Sequence, residues 1–386
     1  MTDLTSGRRL RLGMVGGGQG AFIGGVHRIA ARLDDRYELI AGALSTDPDR
    51  NRISAGELLI DPGRCYASYQ EMAETEAERD DGIDVVAIVT PNNVHYDAAR
   101  AFLEAGIHVI CDKPLTTSLE DARSLARLVK ESGLIFVLTH NYTGYPLVRQ
   151  AREMVRQGIL GRIRVLQMEY PQGWLATKIE DEGQKQAEWR TDPERSGPAG
   201  CVGDIATHAI HLAWFITGLE IEELAADLHT FVEGRQLDDN AHVLLRFTGG
   251  AKGMLWSSQV APGNENALRI RIYGEKGGLA WDQENPNILT WSPLNDVPQK
   301  LTRAGNKLGQ AAELATRIPA GHPEGYLEGF AQLYKDTAER IIAMMQNREP
   351  DPASLLVPTV DDGVQGVRFI EKCVESHYLG GSWVVF

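Results

Sequence analysis

The chain has 386 residues, 43% hydrophobic and 24% charged, the composition of a soluble globular protein too long for one ordinary core, so two domains are expected. A formal net charge of −14 repels polyanions, which argues against nucleic acid or an anionic membrane as partner and leaves neutral metabolites open. The scattered cysteines Cys65, Cys111, Cys201 and Cys373 form no CxxC pair; they indicate neither a zinc knuckle nor a disulfide framework, and they suit a reducing, cytoplasmic compartment.

The start, Arg8-Arg9-Leu10-Arg11-Leu12-Gly13-Met14-Val15, passes at once into glycines and reads as a buried first strand rather than an export signal. Nothing in the chain approaches the length needed to cross a bilayer. Short apolar runs at residues 10–15, 37–44, 85–89, 108–111 and 135–139 alternate with helical periodicity at 26–33, 96–105 and 119–132. Continuous apolar strands separated by helices predict a doubly wound parallel sheet over residues 1–140, with ligands at the carboxyl ends of its strands.

Residues 146–157 read as a helix leading out of that domain. Strand-like runs at 164–170, 224–232, 242–247, 253–259, 268–273 and 279–281 then follow at short intervals, which predicts a largely antiparallel sheet within a second domain, 141–386. Residues 296–321 read as a long loop, and 326–345 and 361–377 as helices. So few helices cannot cover both faces of that sheet. A homodimer or homotetramer through the uncovered face is expected, with the aromatic-bearing runs 253–259 and 279–281 on it.

The glycine cluster Gly16-Gly17-Gly18-Gln19-Gly20-Ala21-Phe22-Ile23-Gly24 follows the first strand and opens a helix, where backbone N–H groups can meet a pyrophosphate. A tight turn alone would also use glycines; the position after strand one of a doubly wound pattern favours the dinucleotide. Gly16, Gly18, Gln19, Phe22 and Ile23 are therefore candidate cofactor contacts. After the second strand Ser45 takes the tip position, with Arg50 nearby. A hydroxyl binds a ribose diol without repelling a 2′-phosphate, so NADP stays open beside NAD; alternatively Asp47 reaches the diol and Arg50 is merely solvated. Thr90-Pro91-Asn92 with His95, and Asp112-Lys113-Pro114, stand at further strand ends. A lysine there can polarise a substrate oxygen, although a surface lysine in a proline-stopped turn is the plainer reading of one Lys-Pro.

In the second half, Asp204 and His208 lie four residues apart and are expected to face the same way from one helix. A carboxylate so placed can fix the ring's tautomer and raise its basicity, as a general base requires. Alone, the pair would equally suit an N-capping Asp with a packed His.

Together these residues resemble the Gfo/Idh/MocA oxidoreductases: Gly16/Gly18/Gly24 with His27, Thr90-Pro91-Asn92 with His95, Asp112-Lys113-Pro114, and Asp204 with His208 occur in that family's order. The resemblance spans nearly the whole chain. It implies a Rossmann domain followed by an α/β domain with a large open sheet often used for oligomerisation, and it makes Lys113, Asp204 and His208 the counterparts of the catalytic lysine, aspartate and histidine. Three departures stand out. Asp112 replaces a glutamate, the stretch between Gly18 and Gly24 is three residues longer, and His211 stands where many members have a second aspartate.

Trp174 and Arg190 suit stacking on a sugar ring and binding its oxygens, with structural packing the alternative, and Tyr142 and His322 are further candidate pocket residues. Asp238-Asp239-Asn240 reads as a turn rather than a metal site, and no metal is expected. The expected function is an NAD(P)-dependent dehydrogenase oxidising a secondary hydroxyl of a cyclic polyol, sugar or sugar derivative, with His208 as base, Asp204 orienting it and Lys113 steadying the alkoxide. The alternatives are a glycoside hydrolase that uses bound NAD to oxidise the sugar transiently, and a non-catalytic dinucleotide-binding regulator.

Overall fold

The structure, a computed structural model, describes residues 7–386, which form two compact units. The first contains the described residues up to Thr116, Glu120–Gly144 and Tyr326–Val364; the second contains Thr117–Leu119, Tyr145–Gly325 and Gln365–Phe386.

In the first unit β1 (Leu10–Gly16), β2 (Tyr37–Ala43), β3 (Val85–Val89), β4 (His108–Cys111) and β5 (Phe136–Leu138) form a parallel sheet in the order β2-β1-β3-β4-β5. β3, β4 and β5 are buried at every residue, which is why they read as unbroken apolar runs. Segment 326–364, which a split at residue 140 assigns to the second domain, packs in the first unit. Its helix Tyr326–Met345 buries Phe330, Leu333, Tyr334, Ala338 and Ile341 in one core with β1–β3 and the helix Phe22–Leu33.

His27 of that last helix lies wholly inside this core, hydrogen-bonded through Nδ1 to Tyr334 Oη at 2.9 Å and packed against Phe330. Burial pushes its pKa down from 6.5 to about 4, with nearby Asp112 opposing. The unfolded chain therefore binds this proton first. Stability is whole above pH 6.5 and is lost as pH falls towards 4, by on the order of 3 kcal/mol from this ring. Burial also lowers the pKa of His108 to about 4 and that of His95, so chemical denaturation across that window measures their joint loss, and His27→Gln is expected to remove its own share of it.

Helices Pro48–Glu57 and Tyr69–Glu78 do not show in apolar periodicity. Polar groups hold them instead: Asp47 and Ser68 accept from Arg50 N and Glu71 N, and buried Asn51 links Leu44 N to Tyr66 O.

The second unit is built on nine strands: β6 (Ile163–Pro171), β7 (Ile221–His229), β8 (Asn240–Phe247), β9 (Lys252–Ser258), β10 (Arg269–Gly274), β11 (Gly277–Asp282), β12 (Ile288–Pro293), β13 (Gln299–Thr302) and β14 (Val384–Val385). Their order is β13-β12-β11-β10-β6-β9-β8-β7-β14; β6 and β9 run parallel and the other described pairs antiparallel. The stretch 296–321 is not all loop, since it holds β13 and the helix Gln310–Ala315. β13 lies at the sheet edge, where polar Gln299 and Lys300 stay exposed and no apolar alternation is needed.

Alternation along the inner strands buries Leu166, Met168, Val243, Leu255 and Ile272 on one face. Val165, Leu244, Met254 and Tyr273 are exposed on the other. Of the two aromatic runs expected on the open face, one fits: Trp256 lies there, stacked beside His242. Trp281 does not; its register turns it into the core, edge-on to Tyr145 at 5.4 Å.

Candidate active site

The first unit offers a dinucleotide cradle at the carboxyl ends of its strands. Gly16 has φ +76°, and a Cβ there would lie 2.8 Å from the Val89 carbonyl. One turn into the following helix, a Cβ on Gly24 would lie 2.4 Å from Gly17 Cα, so this glycine permits the helix to close on the loop. The loop residues Gly17 to Phe22 face Ser54 and Glu57 across a cleft of about 400 Å³. Gln19 is fixed there, its N–H donating to Ser54 Oγ at 2.9 Å and its amide to Glu57 Oε1 at 3.3 Å. Gly18, Gln19 and Phe22 line this cleft, whereas Ile23 packs against the core.

Ser45 lies just beyond β2, next to Leu44, whose carbonyl accepts from Gly18 N at 3.2 Å. Its hydroxyl accepts from Asp47 N at 3.1 Å. Asp47 caps the next helix through Arg50 N at 2.8 Å, which engages the carboxylate of the alternative diol ligand, and Arg50 is exposed on that helix. Thr90 ends β3 beside Gly16, and its buried Oγ1 meets no partner in the protein. Pro91 and buried Asn92 follow in a short 3₁₀ turn. Asn141, in the turn Asn141–Gly144 after β5, likewise has a buried amide nitrogen with no protein partner. A glycine-walled cradle and two unmet polar groups at the strand ends fit a bound dinucleotide.

His95 is fully buried between two backbone carbonyls, with Nδ1 2.8 Å from Pro114 O and Nε2 3.0 Å from Thr90 O; its neutral ring donates to one of them. Burial lowers its pKa. Asp112 is held to β5 by Thr139 Oγ1 at 2.7 Å and also accepts from Lys113 N at 3.0 Å. Lys113, half-buried, opens a cis peptide to Pro114 at the end of β4. Tyr142 is buried beside Tyr326, their rings 6.5 Å apart.

The second unit places Asp204 and His208 at the start of the helix Thr207–Thr217, preceded by a π-helical turn, Val202–Ala206, in which Thr207 N reaches Val202 O. The wider turn alters the simple four-residue offset expected of one α-helix. Asp238 caps this start, accepting from Gly200 N at 2.6 Å, Val202 N at 2.9 Å and Cys201 Sγ at 3.1 Å. Asp204 Oδ2 accepts from Gln259 Nε2 at 2.8 Å and pairs with Arg190 Nε at 3.3 Å, while Arg190 stacks over Trp189 at 4.2 Å. His208 is buried 6.3 Å from the Tyr170 ring, centroid to centroid. His211 is buried deeper and stacks with Phe215. Trp174 donates Nε1 to Gln172 Oε1 at 2.9 Å.

Arg190, read from the sequence as a ligand of sugar oxygens, instead pairs with Asp204, and His322 is exposed, its carbonyl rather than its ring engaged by Arg303. Gln259 and Asp238 were missed as site residues. Gln259 sits in no motif; Asp238 sits in the run Asp238-Asp239-Asn240, whose partners are distant in sequence. Among the described residues no cluster of His, Cys, Asp and Glu could hold a metal ion, and no helix is long and apolar enough to cross a membrane.

Two family models match: "Oxidoreductase family, NAD-binding Rossmann fold" over residues 10–140 and "GFO/IDH/MocA C-terminal domain" over residues 148–280. The crystal structure of an oxidoreductase from Sinorhizobium meliloti is 55% identical, with TM-score 0.89, covering 98% of this chain and 99% of that one. The chain belongs to the Gfo/Idh/MocA family. It is similar to another member, an inositol dehydrogenase homologue from Azotobacter vinelandii solved with NAD⁺ (38% identity, TM-score 0.94, 98% of each chain) and also with NADH and myo-inositol. Levoglucosan dehydrogenase of Pseudarthrobacter phenanthrenivorans is 29% identical, covering 98% of each chain. As a Gfo/Idh/MocA protein with this fold, the chain is an NAD(P)-dependent oxidoreductase acting on CH–OH groups.

Proposed function

We propose that this oxidoreductase is a dehydrogenase that uses NAD to oxidise one secondary hydroxyl of a cyclic polyol, sugar or sugar derivative, with Lys113, Asp204 and His208 as its catalytic groups. The observation that carries this reading is Asp204, held by Arg190 and Gln259 at the head of the helix that also presents His208. His208 takes the hydroxyl proton; Asp204 holds substrate and ring in register; the Lys113 ammonium steadies the alkoxide. When bound, the nicotinamide supplies the hydride acceptor. Gly16, Gly18, Gln19, Phe22, Ser45, Thr90, Pro91 and Asn92 would hold the dinucleotide; Tyr142, Trp174 and Arg190 would bind the sugar. The relatives named for inositol and levoglucosan support a neutral polyhydroxylated substrate. A screen for reduction of NAD and NADP across inositols, aldoses and glycosides, with product analysis, tests the reading; no reduction with any of them would defeat it.

For the cofactor, Ser45→Asp is expected to lower kcat/KM with NADP by roughly tenfold or more while NAD is spared, because the new carboxylate would meet the 2′-phosphate. Equal loss with both cofactors would move the ribose contact to another residue.

We also propose a homodimer or homotetramer through the open face of the second unit's sheet, where Leu244 and Met254 are exposed as a cross-strand pair next to Trp256, with Val165 and Tyr273 paired and exposed further across the same face. Light scattering should give a multiple of 42.5 kDa, and Leu244→Glu with Met254→Glu should dissociate it. A stable wild-type monomer at low micromolar concentration would end this proposal. The four cysteines are all free thiols, which supports a cytoplasmic setting.

A further inference from the structure

A cleft of about 660 Å³ opens in the second unit beside the start of β10 and the turn from β11 to β12, within the size range of small-molecule sites. Its walls are set by hydrogen bonds. Asn266 Oδ1 accepts from Tyr170 Oη at 2.8 Å and Gln172 Nε2 at 2.7 Å, and its Nδ2 donates to Gln283 Oε1 at 3.2 Å. Asn287 donates to the Glu324 carbonyl at 2.8 Å and accepts from Arg303 Nε at 2.8 Å. Buried Glu324 answers Arg303 through Oε1 at 2.9 Å, while its Oε2 meets no donor in the protein.

This chemistry selects a ligand class. No lysine or arginine lines the cleft, whereas Glu265 and Glu284 do, beside Glu324, whose charge Arg303 answers, so anions are disfavoured. The apolar lining is confined to Pro286, Pro323, Ile288 and glycine, too little for a hydrophobic guest. Amides and carboxylates dominate, and Glu265 and Asn285 are exposed at the rim. Such a surface pairs with hydroxyl groups that both donate and accept.

Hydrogen bonds tie the cleft's Asn266 to the segment 172–175, which in turn meets the residue that holds Asp204. Trp174 donates to Gln172, which donates to Asn266; Leu175 N donates to the Gln259 carbonyl at 3.0 Å, and the Gln259 side chain donates to Asp204. We infer that the cleft is a second sugar subsite, binding the neutral ring linked to the one that is oxidised, so that the substrate is a disaccharide or glycoside; this rests on the proposed function for the role of the first ring.

The test is saturation-transfer NMR on the full-length protein with NADH. Maltose, cellobiose and melibiose are each compared with glucose and galactose, on wild type, Asn285→Trp, which fills the cleft, and the milder Glu265→Ala/Asn285→Ala. At least one disaccharide should bind about tenfold more tightly than its monosaccharides, and both variants should erase that advantage without altering monosaccharide binding. Equal disaccharide binding in wild type and variants would overturn the subsite, and so would the absence of any disaccharide advantage in wild type. Loss of the NAD-reduction result while the disaccharide advantage persists would defeat the dehydrogenase reading and leave the subsite standing.

Discussion

Lys113→Ala is expected to lower kcat by roughly 10²–10³ while the affinity for NAD hardly changes. The ammonium acts on the oxygen that becomes an alkoxide, and a fixed positive charge aimed at developing negative charge is worth most at the transition state. The dinucleotide, by contrast, is cradled by the backbone from Gly17 to Phe22, which the substitution does not touch. Asp112 would keep its bond to Thr139 at 2.7 Å, so the strand end should remain in place. Stopped-flow turnover and fluorescence titration with NADH measure the two quantities separately. Near-normal turnover would remove Lys113 from the mechanism, and a parallel loss of NADH binding would recast it as a cofactor ligand.

The second large effect is on His208. Its replacement by alanine is expected to cost roughly 10²–10⁴ in kcat and to abolish the limb of the pH–rate profile that reports the general base. The ring is buried beside Tyr170 at the head of its helix, where Asp204 is already engaged by Arg190 and Gln259. With the base gone, proton removal falls to water. If the limb survives in the variant, another group is the base, and Tyr142 is the first to replace. His211 is a poorer substitute because it is packed deeper, against Phe215.

Burial on both faces made the parallel strands plain in the sequence: β3 and β4 leave no residue exposed, so their apolar runs end where the strands end. The same rule could not find helix Tyr69–Glu78, whose start is written in polar letters. Ser68 accepts from Glu71 N while Glu71 reaches back to Ala67 N, one residue before the cap, and the Ser-x-x-Glu spacing is the sequence signature of such a start. Trp281 shows a harder limit. Which face of a strand is buried depends on its partner's register, and only pairing with Ile270 and Leu289 places that ring in the core.

The candidate site divides in the same way. Glycines, the Asp-Lys-Pro turn and the Asp204–His208 pair are local signals, so they were legible. Asp238 and Gln259 act across 34 and 55 residues of chain from Asp204 and carry no spacing rule that would single them out. His95 belongs to the strand-end motif, and the structure adds what the motif does not tell: its ring is buried between the carbonyls of Thr90 and Pro114.

The most direct measurement of net dehydrogenase chemistry follows one deuterium. With a polyol or sugar labelled at the carbinol carbon, the label should appear on the reduced nicotinamide, in amounts equal to the ketone formed, with none released to water. Return of the label to the sugar with aglycone set free and no net NADH, or its loss to solvent, would contradict it.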